Sequence, residues 1–112
     1  MILLCLLTGP YAWARPPSEI LLSYDYQMKQ LHIDIKHVTN DISEHRIRKL
    51  TIYKNDTEVD RIHFSAQTSA TGLVTDVAIE AAPEDVLRVE AVCSEAGRGE
   101  ASLTVTCEDP CE

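Results

Sequence analysis

Leu31-His32-Ile33-Asp34-Ile35-Lys36-His37 alternates apolar and polar residues one by one, the period of a strand with one face against a core. Leu87-Arg88-Val89-Glu90-Ala91-Val92-Cys93 repeats the pattern downstream, with Leu87, Val89, Ala91 and Cys93 on one face. Ala101, Leu103 and Val105 do the same against Ser102, Thr104 and Thr106. Working outward, Ile20 to Tyr26, Arg46 to Tyr53, Glu58 to Phe64 and the stretch carrying Leu73, Val77 and Ile79 complete a set of short strands. Turn residues separate them: Thr, Asn, Asp and Ser between Val38 and Glu44, Asn55-Asp56, and Ala82-Pro83-Glu84-Asp85. No stretch keeps a helical period. The predicted fold is all-β, an immunoglobulin-like β-sandwich of about seven strands, with a small open barrel as the alternative.

The chain has 112 residues, 45% of them hydrophobic, enough for one core and too few for two domains. Eighteen acidic against ten basic residues leave a net charge of −8. That balance speaks against nucleic acid, whose binders need a basic face, and against a polybasic membrane-surface module. Residues 1–14 read as a signal peptide: Ile2 to Leu7 is an apolar run and Ala12-Trp13-Ala14 a small-x-small cleavage site. The run is too short to span a bilayer, which takes about 20 residues. The expected organisation is a signal peptide over 1–14, the sandwich over 15–106 and an acidic, Cys-containing tail over 107–112. The expected location is periplasmic or extracellular.

Cleavage leaves Cys93, Cys107 and Cys111, an odd count for an exported chain. With the last two strands paired as a hairpin and Cys93 opposite a residue near Glu100, Cys93 and Cys107 stand roughly 20 Å apart at about 3.3 Å per residue. A disulfide spans Cα atoms no more than about 7 Å apart. Cys93 is therefore expected as a free thiol at the rim of the core, and pairing of Cys107 with Cys111 stays open.

His37 continues the inward face of Leu31, Ile33 and Ile35, and His45 opens the next strand. The second, fourth and sixth strands run to one pole, which predicts that His37, His63 and Cys93 meet there. Two imidazoles and a thiolate suit a soft or borderline transition metal, and His63 would complete a zinc-like set of four with His45. The alternative is a set of solvated or hydrogen-bonded histidines beside a cysteine that packs as a small hydrophobe. No Gly-rich phosphate loop, HExxH, CxxC or nucleophile-elbow serine is present. Asn55-Asp56-Thr57 matches a glycosylation sequon.

His37, the polar loop, Glu44-His45-Arg46-Ile47 and then Leu50-Thr51-Ile52, together with Cys93-Ser94-Glu95-Ala96-Gly97, resemble the iron domain of the superoxide reductases (desulfoferrodoxin and neelaredoxin). Across most of residues 15–105 the resemblance implies a seven-stranded immunoglobulin-like fold. It implies iron held by four His and one Cys, reducing superoxide to peroxide, with His37, His45 and Cys93 as matching ligands. Ala96 stands where the family has its last His, Arg15-Pro16-Pro17 where it has an early His-x-Pro, and Val38 where it has a Pro. Two functions follow as expectations. One is a relative that has lost the metal and works as a binding or accessory module in periplasmic redox or sulfur metabolism, with a protein partner or a second copy of itself. The other is a mononuclear-iron superoxide reductase. The His-loop-His-Ile order also resembles the carrier-binding subunit of the sulfur-oxidation pair, a small sandwich that is not a catalyst.

Overall fold

The structure, a computed structural model, describes residues 19–94 and 97–106. The expected signal peptide, the Pro16-Pro17 pair, Ala96, Cys107, Cys111 and the tail over 107–112 lie outside the described residues. Seven strands follow in order: β1 (Glu19–Asp25), β2 (Gln30–Lys36), β3 (Ile47–Lys54), β4 (Thr57–His63), β5 (Gly72–Ala78), β6 (Val86–Cys93) and β7 (Arg98–Thr104). They form two antiparallel sheets, β1-β2-β5 and β4-β3-β6-β7. The chain crosses between sheets from β2 to β3, from β4 to β5 and from β5 to β6. This is the expected immunoglobulin-like sandwich; the two sheets are separate, so the open barrel is set aside.

Alternation selects the core. β2 contributes Leu31, Ile33 and Ile35 and β5 contributes Leu73 and Val77. Facing them, β3 supplies Ile47, Leu50 and Ile52, and β6 supplies Leu87, Val89 and Ala91. Strict alternation would put Ile47 and Leu50 on opposite faces. A bulge resolves this: Ile47 pairs with Cys93 and Lys49 with Val92, leaving Arg48 as the extra residue. Ile47 and Leu50 therefore both point inward, and Cys93 lies on the inward face beside Ile47.

Asn55 and Asp56 both take the left-handed conformation, at φ 51° and 69°, the twist that closes a tight β3–β4 hairpin. The Asn55 side chain donates from Nδ2 to Asp85 Oδ1 at 3.0 Å, and its Oδ1 accepts from Val86 N at 2.9 Å. The sequon asparagine is thus tied into the fold by its own amide.

The β6–β7 hairpin is tighter than predicted. Val92 pairs with Arg98, and Cys93 N donates to Gly97 O at 3.1 Å, so Cys93 stands across from Gly97 rather than a residue near Glu100. The expected register assumed a wider turn. At the other end of the hairpin Val105 N donates to Asp85 O at 2.8 Å, so β7 ends at the pole away from Cys93.

Candidate metal and thiol site

β2 ends at Lys36, and the next residue keeps the inward parity of Ile33 and Ile35. His37 is therefore carried into the mouth of the sandwich, where its N donates to Thr71 O at 2.8 Å and its side chain is 7% exposed. Cys93 arrives by the same rule from β6, after Val89 and Ala91, and is 6% exposed. His37 Nε2 and Cys93 Sγ are 3.2 Å apart. Sequence parity and the shared pole thus bring two of the four expected residues together.

The third member of the cluster is Gln67, 4% exposed, from the loop between β4 and β5. Its Oε1 accepts from His37 Nδ1 at 2.6 Å and from Ile47 N at 3.0 Å. Its Nε2 donates to His37 O and to Ser69 O, both at 3.1 Å. Only one orientation of the amide satisfies two N–H groups and two carbonyls, so Oε1 faces the imidazole. A carbonyl oxygen only accepts, so His37 Nδ1 carries the hydrogen. In the neutral ring Nε2 then presents its lone pair to Cys93, and the thiol S–H is the donor. No pattern in the sequence marks Gln67: it sits in an irregular polar stretch with no period to read.

His45 is exposed on the turn that precedes β3. Asp41 builds that turn, its Oδ1 accepting from Ser43 N, Glu44 N and Ser43 Oγ. The backbone hydrogen bonds from Glu44 and Ser43 hold the Asp41 carboxyl below its ordinary value, with a smaller contribution from the His45 ring. The backbone on both sides of His45 is stitched to the residue after Cys93. Ser94 Oγ donates to Glu44 O at 2.7 Å and accepts from Arg46 N at 3.0 Å, while Ser94 N donates to Arg46 O at 2.8 Å. His45 is thus anchored to the rim beside Cys93, with its side chain turned to solvent.

His63 is a correction. β4 does run to the same pole, but its parity puts Ile62 inward and His63 outward. His63 pairs with Lys49, whose β6 partner Val92 also faces away from the core, and the imidazole is exposed. It lies on the face of the sheet opposite Cys93. Shared strand direction fixes the pole, and alternation then decides the face.

The donor set can be tested against a metal. With metal–nitrogen bonds of about 2.1 Å and metal–sulfur bonds of about 2.3 Å, two ligands at a right angle stand about 3.1 Å apart, so the His37–Cys93 pair has the separation of two ligands on one ion. No third buried His or Cys joins the pair among the described residues: His63 faces outward and His45 faces solvent. Among the described residues no group of three or more His, Cys, Asp or Glu side chains is placed to hold a metal ion. The described residues alone do not supply the ligands of a five-ligand iron centre.

No family model matches the chain, and no curated protein matches it in sequence. Solved structures do. Two structures of superoxide reductase (neelaredoxin) from Ignicoccus hospitalis superpose on it. One has a TM-score of 0.53 and 16% identity, covering 84% of this chain and 81% of that one. The other has a TM-score of 0.50 and 14% identity, covering 88% and 86%. At these identities the likeness shows the fold alone, a β-sandwich similar to that of those two structures.

Proposed function

We propose that this chain is an exported domain that keeps the superoxide reductase sandwich without the iron centre. On this reading it serves as a binding or accessory module in redox or sulfur metabolism. The observation that carries this is the closure of the His37–Cys93 pair by Gln67. Each polar atom of the cluster already has a protein partner, and the further nitrogens that a mononuclear iron would need are exposed or replaced. Export and a protein partner enter from the sequence: the apolar leader, the acidic balance and the absence of a catalytic motif.

A second reading keeps the iron, with His37, His45 and Cys93 as ligands and superoxide as substrate. The 3.2 Å spacing of His37 Nε2 and Cys93 Sγ favours it, as does the anchoring of the His45 backbone through Ser94. The experiment that separates the two is elemental analysis with a visible spectrum, on protein purified without chelator and again after anaerobic addition of ferrous iron. The expected result is no bound iron and no thiolate-to-iron band in either state. Stoichiometric iron with such a band, and superoxide reduction, would replace the first reading with the second.

A further inference from the structure

We propose that Cys93, His37 and Gln67 form a reactive-thiol site that reduces small hydroperoxides, Cys93 being oxidised to a sulfenic acid. This rests on the reading that no metal occupies the His37–Cys93 pair.

A cysteine buried among apolar side chains alone is inert. Cys93 is not in that position, because a base stands at the sulfur. The arrangement is nucleophile, base, then orienting group, each within hydrogen-bond reach of the next: Sγ to Nε2 at 3.2 Å and Nδ1 to Oε1 at 2.6 Å. Gln67 is a positioning residue. It fixes the tautomer that leaves the Nε2 lone pair facing sulfur, and it is itself locked by Ile47 N, His37 O and Ser69 O. The same logic orients the imidazole of nucleophile–histidine–amide sets on unrelated folds.

The step balances within this cluster. As Sγ attacks one peroxide oxygen, the thiol proton passes to His37 Nε2. The S–O bond forms, the O–O bond breaks, and the departing oxygen takes the proton from Nε2, leaving as water or as the alcohol. Sulfur loses two electrons and the peroxide gains two. The imidazole ends as it began, so His37 serves as base and then as acid without net change. A hydroperoxide suits the site on two grounds. The pair is nearly closed, which admits a small uncharged reagent and disfavours a bulky disulfide, and the leaving group needs the proton that Nε2 has just received. Cys93 is the sole cysteine among the described residues, so none of these offers a second thiol to condense with the sulfenic acid.

The test uses the full chain, stripped with chelator and checked by elemental analysis. Hydrogen peroxide is added, sulfenic acid is trapped with a 1,3-dicarbonyl reagent, and the Cys93 peptide is read by mass spectrometry. The same is done in urea, where Cys93 is an ordinary unfolded thiol. The expected result is native Cys93 reacting at least about tenfold faster than unfolded Cys93, with His37→Asn removing the advantage. Gln67→Leu, which leaves Nδ1–H without its acceptor and the tautomer unfixed, is expected to cut the native-over-unfolded advantage at least about threefold. Native Cys93 reacting no faster than unfolded Cys93 would overturn the proposal, and this comparison needs no variant to fold. Metal that survives chelation in stoichiometric amount would overturn the metal-free reading beneath it. A metal-free but unreactive Cys93 would overturn the thiol proposal alone.

Discussion

Gln67 and Ile47 are joined by a buried hydrogen bond from Ile47 N to Gln67 Oε1 at 3.0 Å, and the same oxygen holds His37 Nδ1 from the other sheet. One side chain in an irregular loop therefore links the end of β2 to the start of β3, on opposite layers of the sandwich. It does so at the mouth of the core, where neither sheet ladder satisfies these groups.

Replacing Gln67 by Leu keeps the volume and removes every one of these bonds. Two N–H groups and two carbonyls lose a partner, and a buried group left unsatisfied costs about 1–3 kcal/mol. Gln67→Leu is expected to lower stability by at least about 2 kcal/mol, read as a lower urea midpoint at unchanged m-value. A shift worth less than about 0.5 kcal/mol, the usual effect of a surface change, would mean that water replaces the amide without loss.

His63 is expected to matter little. Its ring is exposed on the outer face, so His63→Ala should change stability by no more than about 0.5 kcal/mol. It should also leave any metal content and thiol reactivity unchanged. The contrast lies beside it: Leu50, paired with Ile62 on the inward face, is fully buried. Leu50→Ala should cost about 2–5 kcal/mol. Urea unfolding of the two variants side by side gives the answer, and a large loss from His63→Ala would mean that the outer face is covered by something it packs against.

The strands were legible because most of them carry a clean period of two. Leu31, Ile33 and Ile35 fill the core as their spacing predicts, and so do Leu87, Val89 and Ala91. The meeting of His37 with Cys93 was legible for the same reason, since each extends an inward parity to a shared pole. His63 was misplaced because pole was read without face. The Arg48 bulge and Gln67 were not legible at all. The bulge is set by the pairing of β3 with β6 inside one sheet, and Gln67 by contacts that join the two sheets, so neither follows from the period of a single strand.

Acid should weaken the fold in part through Asp85. Its carboxylate accepts from Ala82 N at 2.9 Å and from Asn55 Nδ2 at 3.0 Å. The bond from Ala82, followed by that from Asn55, holds the carboxyl below its ordinary value. A carboxyl whose folded pKa is depressed contributes stability above its unfolded pKa. That contribution is lost as pH falls from the ordinary carboxylate range through the lowered value. Asp41 acts in the same direction through Glu44 N and Ser43 N. Asp85→Ala should therefore be destabilising at neutral pH and nearly neutral in strong acid. Urea midpoints measured down the acid limb test this, and a gap between variant and parent that persists unchanged to the lowest pH would contradict it.

Gly72 is the position where the site and the fold depend on one missing atom. It opens β5 opposite Lys36, and a Cβ built there would stand 1.9 Å from Ile35 O and 3.3 Å from His37 N. Both are backbone atoms, so no side chain can swing aside and the two strands would have to part. Parting them pulls on the residue that matters most, because His37 N is bonded to Thr71 O, the neighbour of Gly72. Gly72→Ala is thus expected to cost at least about 3 kcal/mol, the upper end of ordinary overpacking, and to shift the backbone amide resonance of His37. Val74→Ala, on the same strand with a half-exposed side chain, is the control and should stay within about 0.5 kcal/mol. A Gly72→Ala protein as stable as the Val74→Ala control would show that the β2–β5 ladder has slack at this rung, and that His37 is held by Gln67 rather than by its own strand.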